Sequence, residues 1–401
     1  MTSVNTATIT ENKTTAAQSK PTQNKTQQLF LLALMASITF MAILCELVPS
    51  GILPLIADAF EVRLAVCGSL VGGYAIASAL CGLPLVSLTV EWERKKLLLT
   101  LLSIFALSNL GMALVPSFVL LLVCRVIGGA CAGTLWPMIT AYGMQLAEDG
   151  KQGQAVTIIM SGITVGMSVG LPLLTAIGIQ FGFRAEFLVM GCAIAGIALL
   201  CFRFLPAVLG EKRSKANSIV TILHNKGVLL VLALTFLAVG ANYGAYTFVT
   251  QLVSASSYPS IGTAQLFFGV GCVISVLLTL RFIDGHLLPI MEGMFASGVV
   301  TMGLFAITQQ DLLLHGAFFL WGLGFGSLSS IFQTATAHQV HEGVAIANAL
   351  QSASFNCSIM LGTTGAGILL EQLGVQAVVI AAAGILGAGL LFMLVNRRFL
   401  A

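Results

Sequence analysis

Charge is what this sequence has least of. Asp, Glu, Lys and Arg make up 8 % of its 401 residues, where a soluble domain carries about 25 %. With 57 % hydrophobic residues and a mean hydropathy of +0.99, the chain cannot cover a water-facing surface. That excludes a soluble protein with an unusually apolar core. Reactive chemistry is as sparse. There is no GxxxxGK(S/T) loop to cradle a nucleotide, which leaves direct ATP hydrolysis unsupported, and no Ser-His-Asp or Cys-His arrangement is readable. The five histidines (His224, His286, His315, His338, His341) form no cluster with cysteine or carboxylate at ligand spacing, so no metal site is expected. The nine cysteines contain no CxxC pair and read as small apolar packing residues. An enzyme is the weakest reading of such a chain, and no cofactor is expected.

What the sequence does have is long apolar runs. A helical span needs about 20 such residues. Runs near residues 30–52, 64–88, 97–115, 118–142, 155–180, 186–206, 228–253, 262–281, 287–307, 312–336, 343–370 and 374–396 predict an all-α membrane protein with twelve transmembrane helices. Residues 1–28 are polar and are expected to form a disordered tail. They hold no short apolar core of the cleavable kind, so the first run is read as an uncleaved first helix.

An even number of spans puts both ends on one side. Counted that way, fifteen Lys and Arg residues fall on the side of the termini, and only Arg63 and Arg184 on the other. Positive charge stays in the cytoplasm, so both termini are predicted to be cytoplasmic, and the basic residues follow the membrane rule rather than a nucleic acid. Arg125 belongs to neither side. It lies inside the fourth run, in "CRVIGGACAG", about 10 Å below the outer surface at 1.5 Å per residue, and Glu46 in the first run lies about 9 Å below the same surface. An ion at such a depth persists only beside a partner or a wet cavity. Gly129 and Gly133 follow Arg125 on one helical face and let a neighbouring backbone come close. The guanidinium is then expected to reach first-span carbonyls or Glu46. Two readings stand side by side. Glu46 and Arg125 form a proton-coupling pair whose balance substrate shifts, or Arg125 staples two helices with Glu46 as passive counter-ion.

The charged stretch "LGEKRSKANSIVTILHNKG" separates six spans from six. This predicts an N-terminal bundle over 29–207, a cytoplasmic linker over 208–227 and a C-terminal bundle over 228–398, pseudo-symmetric in the manner of repeat-built transporters. The second half has no deep charge. Its seventh span offers Asn242, Tyr243 and Tyr246. With Tyr74, Trp136, Trp321, Gln333 and Asn356 they are candidates to line a cavity suited to a neutral, hydroxyl-rich or heteroaromatic solute. Gly162, Gly166 and Gly170 recur every four residues in the fifth span, a packing face expected to meet a span of the other half.

A family resemblance runs from about Glu46 to about Gly374. It is carried in order by "ELVPSGILPLIADAF", "GSLVGGYAIA", "CRVIGGACAGTLWP", "SGITVGMSVGLP", "FGFRAEF", "NYGAYTFV", "WGLGFG" and "IANALQSASFNCSIMLG". The chain resembles the major facilitator superfamily, in its twelve-span drug:proton antiporter branch, and within it the bacterial sugar-efflux and AraJ-like group. The resemblance implies a secondary active transporter of the bacterial inner membrane. It would export sugars, nucleosides or drugs by proton antiport and alternating access, with the lipid bilayer, a small-molecule substrate and protons as partners, acting as a monomer. It also implies that the Gly162 face keeps the exporter closed against leak, and that the loop holding Glu93, Arg94 and Lys95, with Asp284 at the matching place of the second half, gates the cytoplasmic side. Here the chain departs from the pattern. Val90 stands where the family has Asp, leaving Glu91 or Glu93 as the substitute, and Leu171 separates Gly170 from Pro172. A proton-independent facilitator or importer, and a non-transporting receptor, are the rival readings on the same scaffold.

Overall fold

The computed structural model describes residues 25–62, 64–67, 69–212, 218–256 and 258–400, with the side chains of residues 48–51, 53, 54, 64, 65, 172, 250 and 261 left aside. Residues 1–24 of the expected tail, and Lys13, Lys20, Arg63, Arg213 and Lys215 of the charge assignment, lie outside the described residues.

A backbone in hydrocarbon has no water to bond, so every crossing segment must satisfy its own N–H and C=O groups. The described residues do this with helices alone. In order they are α1 (Lys25–Phe60), α2 (Ser69–Leu88), α3 (Arg94–Leu114) and α4 (Phe118–Leu146). Next, α5 runs through Gln152–Val165, a π-helical turn at Gly166–Gly170, and Leu171–Phe181. It is followed by α6 (Phe183–Phe204) and α7 (Lys226–Thr247). The run Ile261–Ile307 leaves helical geometry at His286 (φ −139°, ψ 36°), which divides it into α8 (261–285) and α9 (287–307). Then come α10 (Asp311–Phe325 and Leu328–His338), α11 (Val344–Leu373) and α12 (Val375–Val395). Among the described residues eleven runs are long and apolar enough to cross a bilayer, one of them being the double run of 46 residues, so the spans there number twelve.

Each expected span falls in one of these helices, and the ends differ where polar sequence stays helical in the interface. α1 starts at Lys25, inside the expected tail, and α8 continues through Arg281 and Asp284, where a loop was expected. The break at His286 puts Pro289 in the first turn of α9. There its missing N–H is one that a helix leaves free in any case.

Two apolar cores form. One gathers residues from Leu31 to Leu205 with Ala337, the other residues from Leu230 to Leu400. Leu107, Val119, Ile307 and Leu312 point outward, the last 83 % exposed. In water such a surface would aggregate, whereas in a bilayer it faces lipid. Helix association in lipid depends on close van der Waals approach, and glycines supply it in both halves. Gly129 and Gly133 of α4 sit on the Tyr74 and Ser78 backbone of α2, and Gly322 and Gly326 of α10 on the Phe268 and Cys272 backbone of α8. Likewise Gly362 of α11 meets Gly240 of α7. The fifth-span glycines correct an expectation. Gly162 and Gly166 lie against Ala36, Phe40 and Ile43 of α1, and Gly170 against Phe40 and Leu44, so this face binds helices within the first half. Toward the second half α5 presents Gln154 and Met160 instead.

The halves meet along two seams, α11 on α2 and α4, and α5 on α8 and α10. Gln28 of α1 bonds the Leu146 carbonyl at the end of α4 (3.2 Å), and Arg397, just past α12, pairs with Glu292 of α9 (3.2 Å). Both described chain ends therefore share one face, here the termini face. A third apolar cluster closes that face, joining Val86, Val90 and Ala141 of the first half to Ile222, Val228 and Ala345.

Candidate functional site

Arg125 is 1 % exposed and reaches three main-chain carbonyls on two other helices. Its Nε donates to Leu70 O of α2 (3.0 Å), Nη1 to Cys45 O and Nη2 to Glu46 O of α1 (2.7 Å). The guanidinium also lies over the Tyr74 ring, 4.1 Å from its centroid, a cation–π contact. One of these acceptors exists for a local reason. A helical carbonyl normally accepts from the N–H four residues on, and for Cys45 that residue is Pro49, which has no N–H. Arg125 supplies the missing donor. The glycines that bring α4 close do so against α2, and Arg125 then spans both α2 and α1.

Of the two partners expected, first-span carbonyls or Glu46, the guanidinium takes the carbonyls. Arg125 binds the backbone carbonyl of Glu46, and the ion pairs recorded among the described residues, Arg94–Glu211, Lys96–Glu93, Lys151–Glu148 and Arg397–Glu292, do not join it to the Glu46 carboxylate. That carboxylate is half-buried, and its charge and that of Tyr243 of α7 act on each other. Tyr74 is 2 % exposed beneath the guanidinium, with no hydrogen-bond partner for its hydroxyl. It belongs to this hub rather than to an open cavity wall. Cys45 Sγ contacts Asn109 Oδ1 of α3 (3.6 Å), which brings a fourth helix to the hub.

The second half builds its centre from rings. Trp321 of α10 is fully buried, and its Nε1 donates to Asn242 Oδ1 of α7 (2.9 Å), while Asn242 Nδ2 donates to Ala238 O (2.8 Å). Around the indole stand Tyr246 and Phe268, each with its ring centre 5.7 Å away. Tyr243 meets Phe325 (4.9 Å) and Phe355 (5.8 Å). The structure thus gathers Asn242, Tyr243, Tyr246 and Trp321 as expected. It also shows that Asn242 and Trp321 are bonded to each other and buried, 3 % and 0 % exposed. The half-buried rings of Tyr243, Tyr246, Phe325 and Phe355 are the part that a solute could touch.

Three further candidates lie in the seams. Gln333 is 3 % exposed and crosses between the halves: its Oε1 accepts from Thr140 Oγ1 of α4 (2.5 Å), and its Nε2 reaches Ser329 Oγ (3.1 Å) and Met160 Sδ of α5 (3.6 Å). It is a seal and not a lining residue. Trp136 and Asn356 meet in a crevice between α2, α4 and α11 with a volume of about 10 Å³, room for at most one water.

Below this seal, on the termini face, each seam ends in an acid that caps a helix of the opposite seam partner. Asp284 accepts from the N–H groups of Gly153 (2.6 Å) and Gln154 (2.9 Å) at the start of α5. Glu211 accepts from the Gly343 N–H at the start of α11 (2.6 Å) and from Arg94 Nη2 (3.3 Å). Helix N-termini carry free N–H groups and a partial positive charge, so both acids sit where a carboxylate is stabilised. The linker is laid along the second-to-third loop by Arg94 N to Val208 O (2.8 Å) and Glu211 N to Val90 O (2.9 Å). Of the expected gate residues, Arg94 and Asp284 form latches. Glu93 instead pairs with Lys96 (3.1 Å), and Lys95 lies over the Phe202 ring (5.6 Å). Glu211 was missed. Its signal was slight: it is the one acid of the linker stretch "LGEKRSK". Beside the Glu211 latch is a space of about 920 Å³ bordered by Gln145, Gln152, Glu211, His338 and Gln339.

The description of the Major Facilitator Superfamily matches residues 35–347. The chain belongs to that superfamily. Its relatives within the superfamily include a probable sugar efflux transporter of Pasteurella multocida, 29 % identical over 88 % of this chain and 89 % of that protein. Another is a chloramphenicol efflux pump of Mycobacterium tuberculosis, 27 % identical over 92 % of each. Among solved structures, the human organic anion transporter MFSD10 superposes with a TM-score of 0.74 at 15 % identity, covering 92 % of this chain and 100 % of that one. FucP, a Major Facilitator Superfamily transporter in the outward conformation, does so with 0.70 at 14 %, covering 94 % and 99 %. These superpositions show the superfamily's twelve-helix fold. The chain is thus a multi-pass membrane protein of a transporter superfamily.

Proposed function

We propose that this superfamily member exports a small molecule, a sugar, nucleoside or drug, across a bacterial inner membrane by proton antiport, with Glu46 as the coupling carboxylate. The observation that carries the reading is the placement of Glu46. It is half-buried on α1, where Arg125 binds its carbonyl, within electrostatic reach of Tyr243 of the opposite half. A carboxylate there senses both a proton and a solute wedged between the halves. Protonating it removes a charge from the seam, and a solute stacked on Tyr243 and Tyr246 competes for the same space, so that one leaves as the other binds. The printed names of the relatives support efflux, and nothing in the rings selects among the three solute classes.

Alternating access follows from rigid halves on either side of the linker, over 29–207 and 228–398, rocking about this centre. We place the termini face in the cytoplasm on the strength of the basic residues gathered there. The conformation described is then closed inward by Gln333, Asp284 and Glu211. The proton gradient supplies the energy, with no cofactor, and one chain suffices.

The test is export from everted vesicles, with internal pH followed as substrate is added. The parent is expected to release protons from the vesicle lumen on substrate addition, and Glu46→Gln to lose that signal while still exchanging labelled substrate. An undiminished proton signal in Glu46→Gln would leave Arg125 and Glu46 as a staple. Transport by the parent without any proton signal would mark a facilitator.

A further inference from the structure

Among the described residues Glu186 is the one fully buried acid, and the readings above leave it without work, although it sits in the quoted motif "FGFRAEF". It lies in the first turn of α6, it is 0 % exposed, and neither carboxyl oxygen has a hydrogen-bond partner. Its surroundings are apolar. Gly178 of α5 is so close to Oε2 that a methyl there would overlap it, and the same methyl would also meet Ile52 of α1. Phe183 and Phe187 flank it on its own helix, 5 % and 1 % exposed. No charged side chain faces it among the described residues. Arg184, the nearest cation along the chain, turns away: its Nη1 donates to Ala113 O of α3 (3.0 Å), and its guanidinium lies over Phe183 (5.4 Å). The acids at the end of α1, Asp58 and Glu61, are exposed.

We propose that Glu186 is a proton-binding site, holding one proton as a neutral carboxylic acid in a pocket that α1 and α5 close. A carboxylate buried without a partner is far costlier than the neutral acid, and nothing here offers it a donor. The glycine at Gly178 is what leaves room for the carboxyl at all. Ile52, fully buried beside Gly178, is on the helix that Arg125 grips at Cys45 and Glu46, so opening this pocket moves α1. Loss or gain of this proton is therefore tied to displacement of the outer part of α1. The proposal stands whether or not Glu46 couples transport.

The experiment is infrared difference spectroscopy on the full chain in proteoliposomes, parent minus Glu186→Gln. One carboxylic-acid carbonyl band is expected at neutral pH, absent from the variant and retained in Glu46→Gln. A spectrum without that band overturns the proposal. If Glu186→Gln does not fold, the parent itself is labelled with the lipophilic reagent dicyclohexylcarbodiimide and the peptide holding Glu186 is weighed. The acid adds across the carbodiimide, its proton going to nitrogen and its oxygen to carbon, and the adduct rearranges to a stable N-acylurea with nothing lost. The adduct is expected to decline as pH rises, and to be lost in Gly178→Ala, where the added methyl drives the carboxyl out of its pocket. Labelling indifferent to both changes overturns the proposal equally.

Discussion

The two halves place different chemistry on the same frame. In each, the fourth helix of the bundle is drawn onto the second by glycines, Gly129 and Gly133 on α2 and Gly322 and Gly326 on α8. In each, one large polar side chain on that fourth helix reaches the first helix of the bundle: Arg125 to Cys45 and Glu46 of α1, Trp321 to Asn242 of α7. The frame is set by backbone approach and is indifferent to what fills it. The first half fills it with a charge bound to carbonyls, the second with an indole bound to an amide. The lesson is a division of labour. On the proposed function, the half with the guanidinium sets an electrostatic field for a titrating acid, and the half with the rings presents a neutral surface for a solute to stack on.

If the halves differ in this way, breaking each centre has different consequences. The largest effect is expected from Arg125→Lys. An ammonium has no planar fork to span three carbonyls on two helices, and the Cys45 carbonyl, opposite Pro49, loses its donor. A loss of about 3 kcal/mol is expected from the abandoned charged hydrogen bonds, seen as a lower melting temperature in detergent, with export falling to background. Trp321→Phe is the milder counterpart. It keeps the ring stack and strands only Asn242 Oδ1, for a loss of about 1–2 kcal/mol, with export retained at reduced rate. Equal damage from the two variants would mean that both centres are mere staples.

Much of this was legible in the sequence, for identifiable reasons. The span count follows from apolar length, and Arg125 was conspicuous because a charge in an apolar run is rare. First-span carbonyls were expected as its partners, but which ones was not legible, because main-chain carbonyls carry no sequence signature, and only Pro49 marks one of them in hindsight. The every-fourth glycines announced close packing but not against which helix, since a small face fits any backbone brought to it, and α1 rather than the second half takes Gly162. Asn242 and Trp321 were rightly grouped, but their mutual bond (2.9 Å) turned a supposed lining into a core. Glu211 and Glu186 escaped because one lies in a linker and the other in the first turn of a span, where an acid is unremarkable by composition.

The latches sharpen the comparison at the termini face, where the smallest effects are expected. Asp284 accepts two backbone hydrogen bonds from α5, whereas Glu211 accepts one at the start of α11 and shares its charge with Arg94. Asp284→Asn keeps an acceptor and loses the charge that the helix N-terminus favours, a cost of about 1 kcal/mol. It should appear as faster hydrogen exchange in the peptide that carries Gly153 and Gln154, with α11 unchanged, and Glu211→Gln should produce the reverse pattern. Glu93→Gln is the control that separates a gate residue by sequence from one by structure. Its pairing with Lys96 is local and exposed, the lysine side chain being 76 % accessible, and such a pair contributes a few tenths of a kcal/mol at about the level of a surface helix pair. Export and exchange at both helix starts should therefore match the parent. A Glu93→Gln variant that opened either seam would show that the acid missing at Val90 is replaced from within its own loop, and would take the latch away from Glu211.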